Sequence, residues 1–153
     1  MPRSMRIAAV LVALCLVFPG AMVLATPGQG VHFDVHTSLG TPSQGPFEAT
    51  GPAVDSGLVC AMGYTIDVSL TVSGDGSNGR VNYGVLKDFI CDDSSGSLLL
   101  KMQVQAGGDK GGVYSWTIVG GTGDYMSLLG SGTGSGVSTD PGTVEDQFDG
   151  AVH

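Results

Sequence analysis

"YTIDVSLTV", residues 64–72, places large apolar side chains at every second position. Tyr64, Ile66, Val68, Leu70 and Val72 alternate with Thr65, Asp67, Ser69 and Thr71. Successive side chains of an extended chain point to opposite faces, so this spacing predicts a strand with one apolar and one polar face. The same period recurs in "SLLLKMQVQ" at 97–105, where Leu98, Leu100, Met102 and Val104 oppose Leu99, Lys101, Gln103 and Gln105. It recurs again in "VYSWTIV" at 113–119, where Tyr114, Trp116 and Ile118 oppose Val113, Ser115, Thr117 and Val119. Shorter candidates lie at 31–37, 45–50, 81–90, 126–131 and 146–152. Beyond residue 26 no apolar pattern of period 3.6 runs long enough for a helix.

Turn chemistry separates these runs. "SGDGSNGR" at 73–80 and "AGGDKGG" at 106–112 carry the glycine, Asn and Asp residues that hairpins require. "SGTGSGVSTDPGT" at 131–143 is longer and reads as a surface loop. The expected fold is all-β, an eight-stranded antiparallel β-barrel, because closure removes exposed edges. A two-sheet β-sandwich is the alternative.

The chain's 153 residues fit one domain, and its 42% hydrophobic residues are enough for a core. Arg3 and Arg6 precede the apolar stretch Ile7–Phe18, and Val23-Leu24-Ala25 resembles a cleavage site, the order of a secretory signal. Residues 1–25 are therefore expected to be a signal peptide, cut near Ala25-Thr26, leaving 26–153 as a single secreted barrel domain. An uncleaved membrane anchor is the other reading of this segment, since Ile7–Ala25 approaches the ~20 residues needed to span a bilayer. Pro19, Gly20 and the small residues after them favour cleavage, and no stable membrane insertion is expected afterwards. Without Arg3 and Arg6 the chain holds four basic against 14 acidic side chains, a formal charge of −10. Such a surface repels phosphate backbones, so nucleic-acid binding is not expected.

Cys15 falls inside the signal, which leaves Cys60 and Cys91. An even pair in an exported chain predicts one disulfide. A redox or metal-ligating pair would want closer spacing or a nearby histidine.

The single tryptophan precedes a glycine turn. In "WTIVGGTGDY" at 116–125 a strand is expected to end at Val119, and Gly120, Gly121, Thr122 and Gly123 to form a structural turn that side chains would obstruct. Tyr125 is expected to begin the return strand and cover that turn. W-x-I-V-G-G-T-G-x-Y followed by L-x-G-S-G-x-G resembles the late hairpin of the allene oxide cyclase barrel superfamily, and plant dirigent proteins carry a similar segment. The ordered set also includes Phe47, Ala49, Thr50, Gly51, Pro52, Cys60, Phe89 and Cys91, and is similar to small exported, mostly actinobacterial, barrel proteins of that type. The resemblance covers roughly 45–152 and implies an eight-stranded barrel, often oligomeric among plant relatives. It carries over no active site: neither the polar positions of the cyclases nor the aspartates of the dirigent proteins find matched residues. A homo-oligomer is one expected partner state, and a small apolar molecule the other expected partner.

Candidate chemistry is sparse. His32, Asp34 and His36 in "VHFDVHTSL" share one face of a predicted strand and form a weak metal candidate. With alternate residues ~6.6 Å apart, His32 and His36 stand ~13 Å apart, too far for one ion without a bend. A solvent-facing polar row is the simpler reading. No G-x-S-x-G elbow is present, and no cofactor is expected. The expected role is a binding or structural module for a small apolar molecule or a partner surface, with Tyr114, Trp116 and Tyr125 near the ligand. The alternative is an isomerase or cyclase of the allene oxide cyclase type, or dirigent-like stereocontrol; whether the chain is an enzyme stays open.

Overall fold

The computed structural model describes residues 27–73, 79–107 and 112–153. The predicted targeting segment, and parts of the turns predicted at 73–80 and 106–112, lie outside the described residues.

Eight strands follow one another: β1 (Gln29–Ser38), β2 (Gln44–Thr50), β3 (Met62–Ser73), β4 (Val81–Cys91), β5 (Ser97–Ala106), β6 (Gly112–Gly121), β7 (Gly130–Asp140) and β8 (Thr143–Val152). Each pairs antiparallel with the next, and β8 returns to β1, so the barrel is closed. The closed barrel, not the sandwich, is the fold. A single helical turn, α1 (Pro52–Asp55), interrupts the strands. Pro52 supplies a preset φ at its start, Ala53 is fully buried, and Gly57 ends the segment at φ 75°.

Inward positions alternate along the strands except where bulges interrupt the register, and the middle of the barrel is filled. Phe33 meets Phe47, Phe89, Trp116 and Phe148 edge-on, at centroid distances of 5.2–6.4 Å. Tilted and edge-to-face rings avoid stacking negative faces on each other. Leu98, Leu100, Val35 and Val152 belong to the same core, each almost wholly removed from water.

The two ends differ. At one end α1, Val59 and the Cys60–Cys91 disulfide, with Cα atoms 6.0 Å apart, close the barrel. At the other end, where β1 leads to β2, β3 to β4, β5 to β6 and β7 to β8, the described residues leave a mouth open.

Three sequence expectations need correction. The stretch 131–143 is not a loop: Gly130–Asp140 forms β7, paired on both sides. Its glycines occupy inward positions where large neighbours already stand. A Cβ at Gly132 would lie 2.7 Å from the Trp116 ring, and one at Gly134 would lie 2.2 Å from the Tyr114 ring. The glycine repeat is therefore a strand emptied of side chains to seat the big residues of β6, and composition alone disguised it.

The unbroken alternation in 64–72 is also deceptive. A bulge between Asp67 and Ser69 shifts the register against β4. Asp67 pairs with Lys87 and Leu70 with Val85, so the inward set is Gly63, Thr65 and Asp67 before the bulge and Leu70 after it. Tyr64 and Ile66 face outward with Ile90 and Asp88. An extra residue on one strand exchanges the faces beyond it.

Tyr125, finally, does not begin the return strand. It closes a short 3-10 turn, Gly123–Tyr125, ahead of β7.

Candidate functional site

The open mouth leads into a cavity of about 490 Å³ above the aromatic layer. Leu39, Leu70, Tyr83, Val85, Met102 and Val104 supply most of its apolar wall. Its polar groups include Thr37 of β1, Asp67 of β3, Lys87 of β4, Tyr114 of β6 and Asp146 of β8, with Ser43 and Ser138 also in the lining.

Lys87 is only 3% exposed, and its ammonium lies 2.8 Å from Asp67 Oδ1. The two residues are directly paired across β3 and β4, so the ladder itself sets them side by side. The contact is between charges, without the angle of an aligned hydrogen bond. A lysine this deep needs such a partner, because leaving water costs an ion several kcal/mol.

Asp146 stands across the cavity. Thr37 Oγ1 donates to its Oδ2 at 2.9 Å. Burial holds the Asp146 carboxyl above the usual carboxylate range, and the nearby charge of Asp67 acts in the same direction. The Thr37 hydrogen bond, the Lys87 charge and the Tyr114 hydroxyl oppose that shift without cancelling it. Gly136 leaves the space the carboxylate occupies, since a Cβ there would sit 2.4 Å from Asp146 Oδ1. Tyr114 donates its own hydroxyl to the Gln147 carbonyl at 3.0 Å, and burial raises its pKa first of all.

The three aromatic residues expected at a ligand are separated. Tyr114 lines the mouth cavity. Trp116, 1% exposed, belongs to the packed layer, with Nε1 donating to the Thr133 carbonyl at 3.2 Å. Tyr125 lies at the opposite, closed end, its hydroxyl 2.7 Å from Ser95 Oγ and close to Cys91. A smaller recess of about 190 Å³ there is lined by Leu58, Asp124, Tyr125, Leu128 and His153, among others. The open mouth thus lies at the end of the barrel opposite Tyr125, away from one of the three residues expected near a ligand. The face bearing Tyr114, Trp116 and Ile118 points inward, so these residues form no exposed patch.

The glycine turn matches the expected obstruction at two of its positions. Gly123 has φ 58°, and a Cβ there would lie 2.1 Å from the Ser95 carbonyl oxygen. A Cβ at Gly121 would meet the Tyr125 carbonyl at 2.5 Å, whereas one at Gly120 would find nothing nearer than 4.0 Å. Thr122 Oγ1 accepts from the Ser97 backbone N–H at 2.9 Å and so ties the turn to β5.

On the outer wall, His32 Nδ1 lies 2.7 Å from Asp149 Oδ1, and its Nε2 lies 3.2 Å from Asp34 Oδ2. His36 pairs with Glu145 instead. The row is therefore divided between β1–β8 ion pairs, and no group of three metal-ligating side chains gathers among the described residues.

Asp67, Lys87 and Asp146 escaped the sequence reading, though two of them left a signal. Val85, Lys87 and Phe89 share one face of β4, and Asp146 and Phe148 one face of β8. A charge at an inward position of an apolar alternation is costly unless paired, and that cost is the clue. Asp67 is hidden by the bulge, which turns a residue of the apparent polar face inward. No known family, curated protein or solved structure matches this chain.

Proposed function

We propose that this is an exported barrel that binds a small, largely apolar molecule through its open mouth. The cavity of about 490 Å³ supports this reading: it joins an apolar wall to a few convergent polar groups. Ligand sites commonly have that composition and a volume in the range of roughly 300–1,000 Å³. The aromatic layer beneath it is packed, so a ligand would be held near the mouth. Export rests on the N-terminal signal pattern and on the Cys60–Cys91 disulfide, which suits an oxidising compartment. The resemblance to the allene oxide cyclase barrel superfamily is part of the same proposal.

The raised pKa of Asp146 favours a second reading, in which the barrel acts as an isomerase or cyclase. Burial raises the proton affinity of this carboxyl beside an apolar wall, the direction in which a general acid is tuned.

Titration with fatty-acid epoxides, phenolics and terpenoids, followed by methyl and amide chemical shifts, tests binding. Shifts should concentrate on Leu70, Val85, Met102 and Val104, and Val104→Trp, which fills the cavity, should abolish them. If no ligand class moves those signals, the binding reading fails. Product analysis with the same compounds tests turnover, which Asp146→Ala should remove if the second reading holds.

A further inference from the structure

The cavity contains a buried cation whose partner does not use its hydrogen bonds. Lys87 is 3% exposed and lines the cavity, and its contact with Asp67 at 2.8 Å lacks hydrogen-bond alignment. Among the described residues no other ion pair or hydrogen bond engages its ammonium. Its three N–H donors therefore have directional capacity left over on the side that lines the cavity. A ligand acceptor entering the cavity can take up that capacity, and a hydrogen bond to a charged donor is among the stronger ones.

The charges around it select what that acceptor can be. An anionic head would find the Lys87 charge already neutralised by Asp67, with Asp146 a second carboxyl in the same cavity. A cationic head would meet Lys87 itself. A neutral oxygen acceptor meets neither objection. It takes an N–H from Lys87, and the protonated form of Asp146, which burial favours, offers a second donor. Tyr114 is less available because its hydroxyl already donates to the Gln147 carbonyl. The rest of the wall, from Leu70 to Val104, suits an apolar body, and Tyr83 and Met102 suit an aromatic one.

We infer that the cavity recognises uncharged carbonyl compounds with an apolar or aromatic body, the carbonyl oxygen accepting from Lys87 and the Lys87–Asp67 pair serving as the polar anchor. This rests on the proposed mouth-binding function and adds to it the chemical class of the ligand.

Four probes with one naphthalene body separate the possibilities: 2-acetylnaphthalene, its alkene counterpart 2-isopropenylnaphthalene, 2-naphthoate and naphthalen-2-ylmethylammonium. Each is titrated into the folded protein, and Kd is read from the shifts of the lining methyl groups. The ketone should bind at least tenfold more tightly than either ion. The decisive comparison uses the double variant Lys87→Met with Asp67→Leu. It removes both charges together and avoids stranding a buried Asp67. Relative to the alkene, which corrects for the differing apolarity of the two neutral probes, the ketone should weaken at least tenfold in that variant. The paired variant Lys87→Gln with Asp67→Asn, which removes both charges but keeps a neutral N–H donor, should retain more of the ketone preference than the apolar pair and guards against a double variant that does not fold.

A ketone-to-alkene ratio unchanged in the double variant overturns the inference while leaving apolar binding intact. So does tighter binding of either ion than of the ketone. If no probe moves the lining methyl groups, the mouth-binding function fails and this inference fails with it.

Discussion

Gly134 of β7 stands opposite Tyr114 of β6, and a Cβ at 134 would lie 2.2 Å from the tyrosine ring and 2.3 Å from the Gln147 carbonyl oxygen. Gly132 has the same relation to Trp116, with a Cβ 2.7 Å from the indole and 2.0 Å from the Asp149 carbonyl oxygen. Where backbone stands in the way, no rotamer change relieves the clash. Gly132→Ala and Gly134→Ala should each destabilise the barrel by about 1–3 kcal/mol, the usual scale of overpacking. Gly112→Ala is the control, because its Cβ would meet nothing nearer than Val104 Cγ1 at 3.6 Å. Thermal or urea unfolding of the three variants checks the contrast.

The GGTG turn should show a similar division within four residues. Gly123→Ala forces a side chain into φ 58° and against the Ser95 carbonyl, so a loss of at least about 1 kcal/mol is expected. Gly120→Ala has open space and should stay within roughly 0.5 kcal/mol of the parent. Equal losses at 120 and 123 would show that packing and backbone conformation do not decide the turn.

The period-2 pattern was enough to read the all-β class, the antiparallel barrel and most strands, because an inward face must be apolar along its length. Leu98, Leu100 and Met102, and Tyr114, Trp116 and Ile118, all point inward as their spacing predicts. β7 was not legible, because its inward positions are glycines whose purpose is to accommodate Tyr114 and Trp116 on another strand. The β3 bulge was not legible either, since an exchange of faces leaves perfect alternation in the sequence. The site was obscured for the same reasons. Asp67 reads as a polar outer residue until the bulge is known, and Lys87 and Asp146 come together only when β1 to β8 close.

The disulfide fastens the closed end, linking the segment after α1 to the end of β4 across a separation of 31 residues. Replacing Cys60 and Cys91 together by alanine should cost roughly 3–4 kcal/mol on the chain-entropy account. The strand signature in circular dichroism should survive at low temperature, because the aromatic layer does not depend on the bridge. Loss of all strand signal under mild conditions would mean that the closed end nucleates the barrel.

His32 gives the outer wall a pH dependence of definite sign. Its hydrogen bond to Asp149 is the largest influence and raises its pKa above the ordinary 6.5, with Asp34 adding to the effect and burial opposing it. The protonated imidazole is thus favoured in the folded state. Its contribution to stability is full below the unfolded value near 6.5 and fades as pH rises through the higher folded value. His32→Gln should therefore lower the melting temperature more in mildly acidic than in alkaline buffer. A difference that grows with rising pH would contradict the assignment.

Asp146 supplies the opposite test, in which removing a charge should stabilise. Burial raises its carboxyl pKa above the ordinary 3.8, with Asp67 contributing, and the Thr37 hydrogen bond, the attraction of Lys87 and the nearby Tyr114 hydroxyl do not compensate. The folded state consequently prefers the protonated form. That preference is fully satisfied below the unfolded value and is lost as pH rises through the folded one, so at neutral pH the ionised carboxylate strains the barrel. Asp146→Asn keeps an oxygen that can accept from Thr37 and has no charge to desolvate. Its melting temperature should exceed the parent's by a few degrees at neutral pH, and the two should converge below about pH 3.8. A site that retains a destabilising carboxyl where a neutral amide fits suggests selection for something other than stability. If Asp146→Asn instead lowers the neutral-pH melting temperature, the attraction between Asp146 and Lys87 outweighs burial, and the carboxyl is a second counter-ion to the lysine rather than a proton donor.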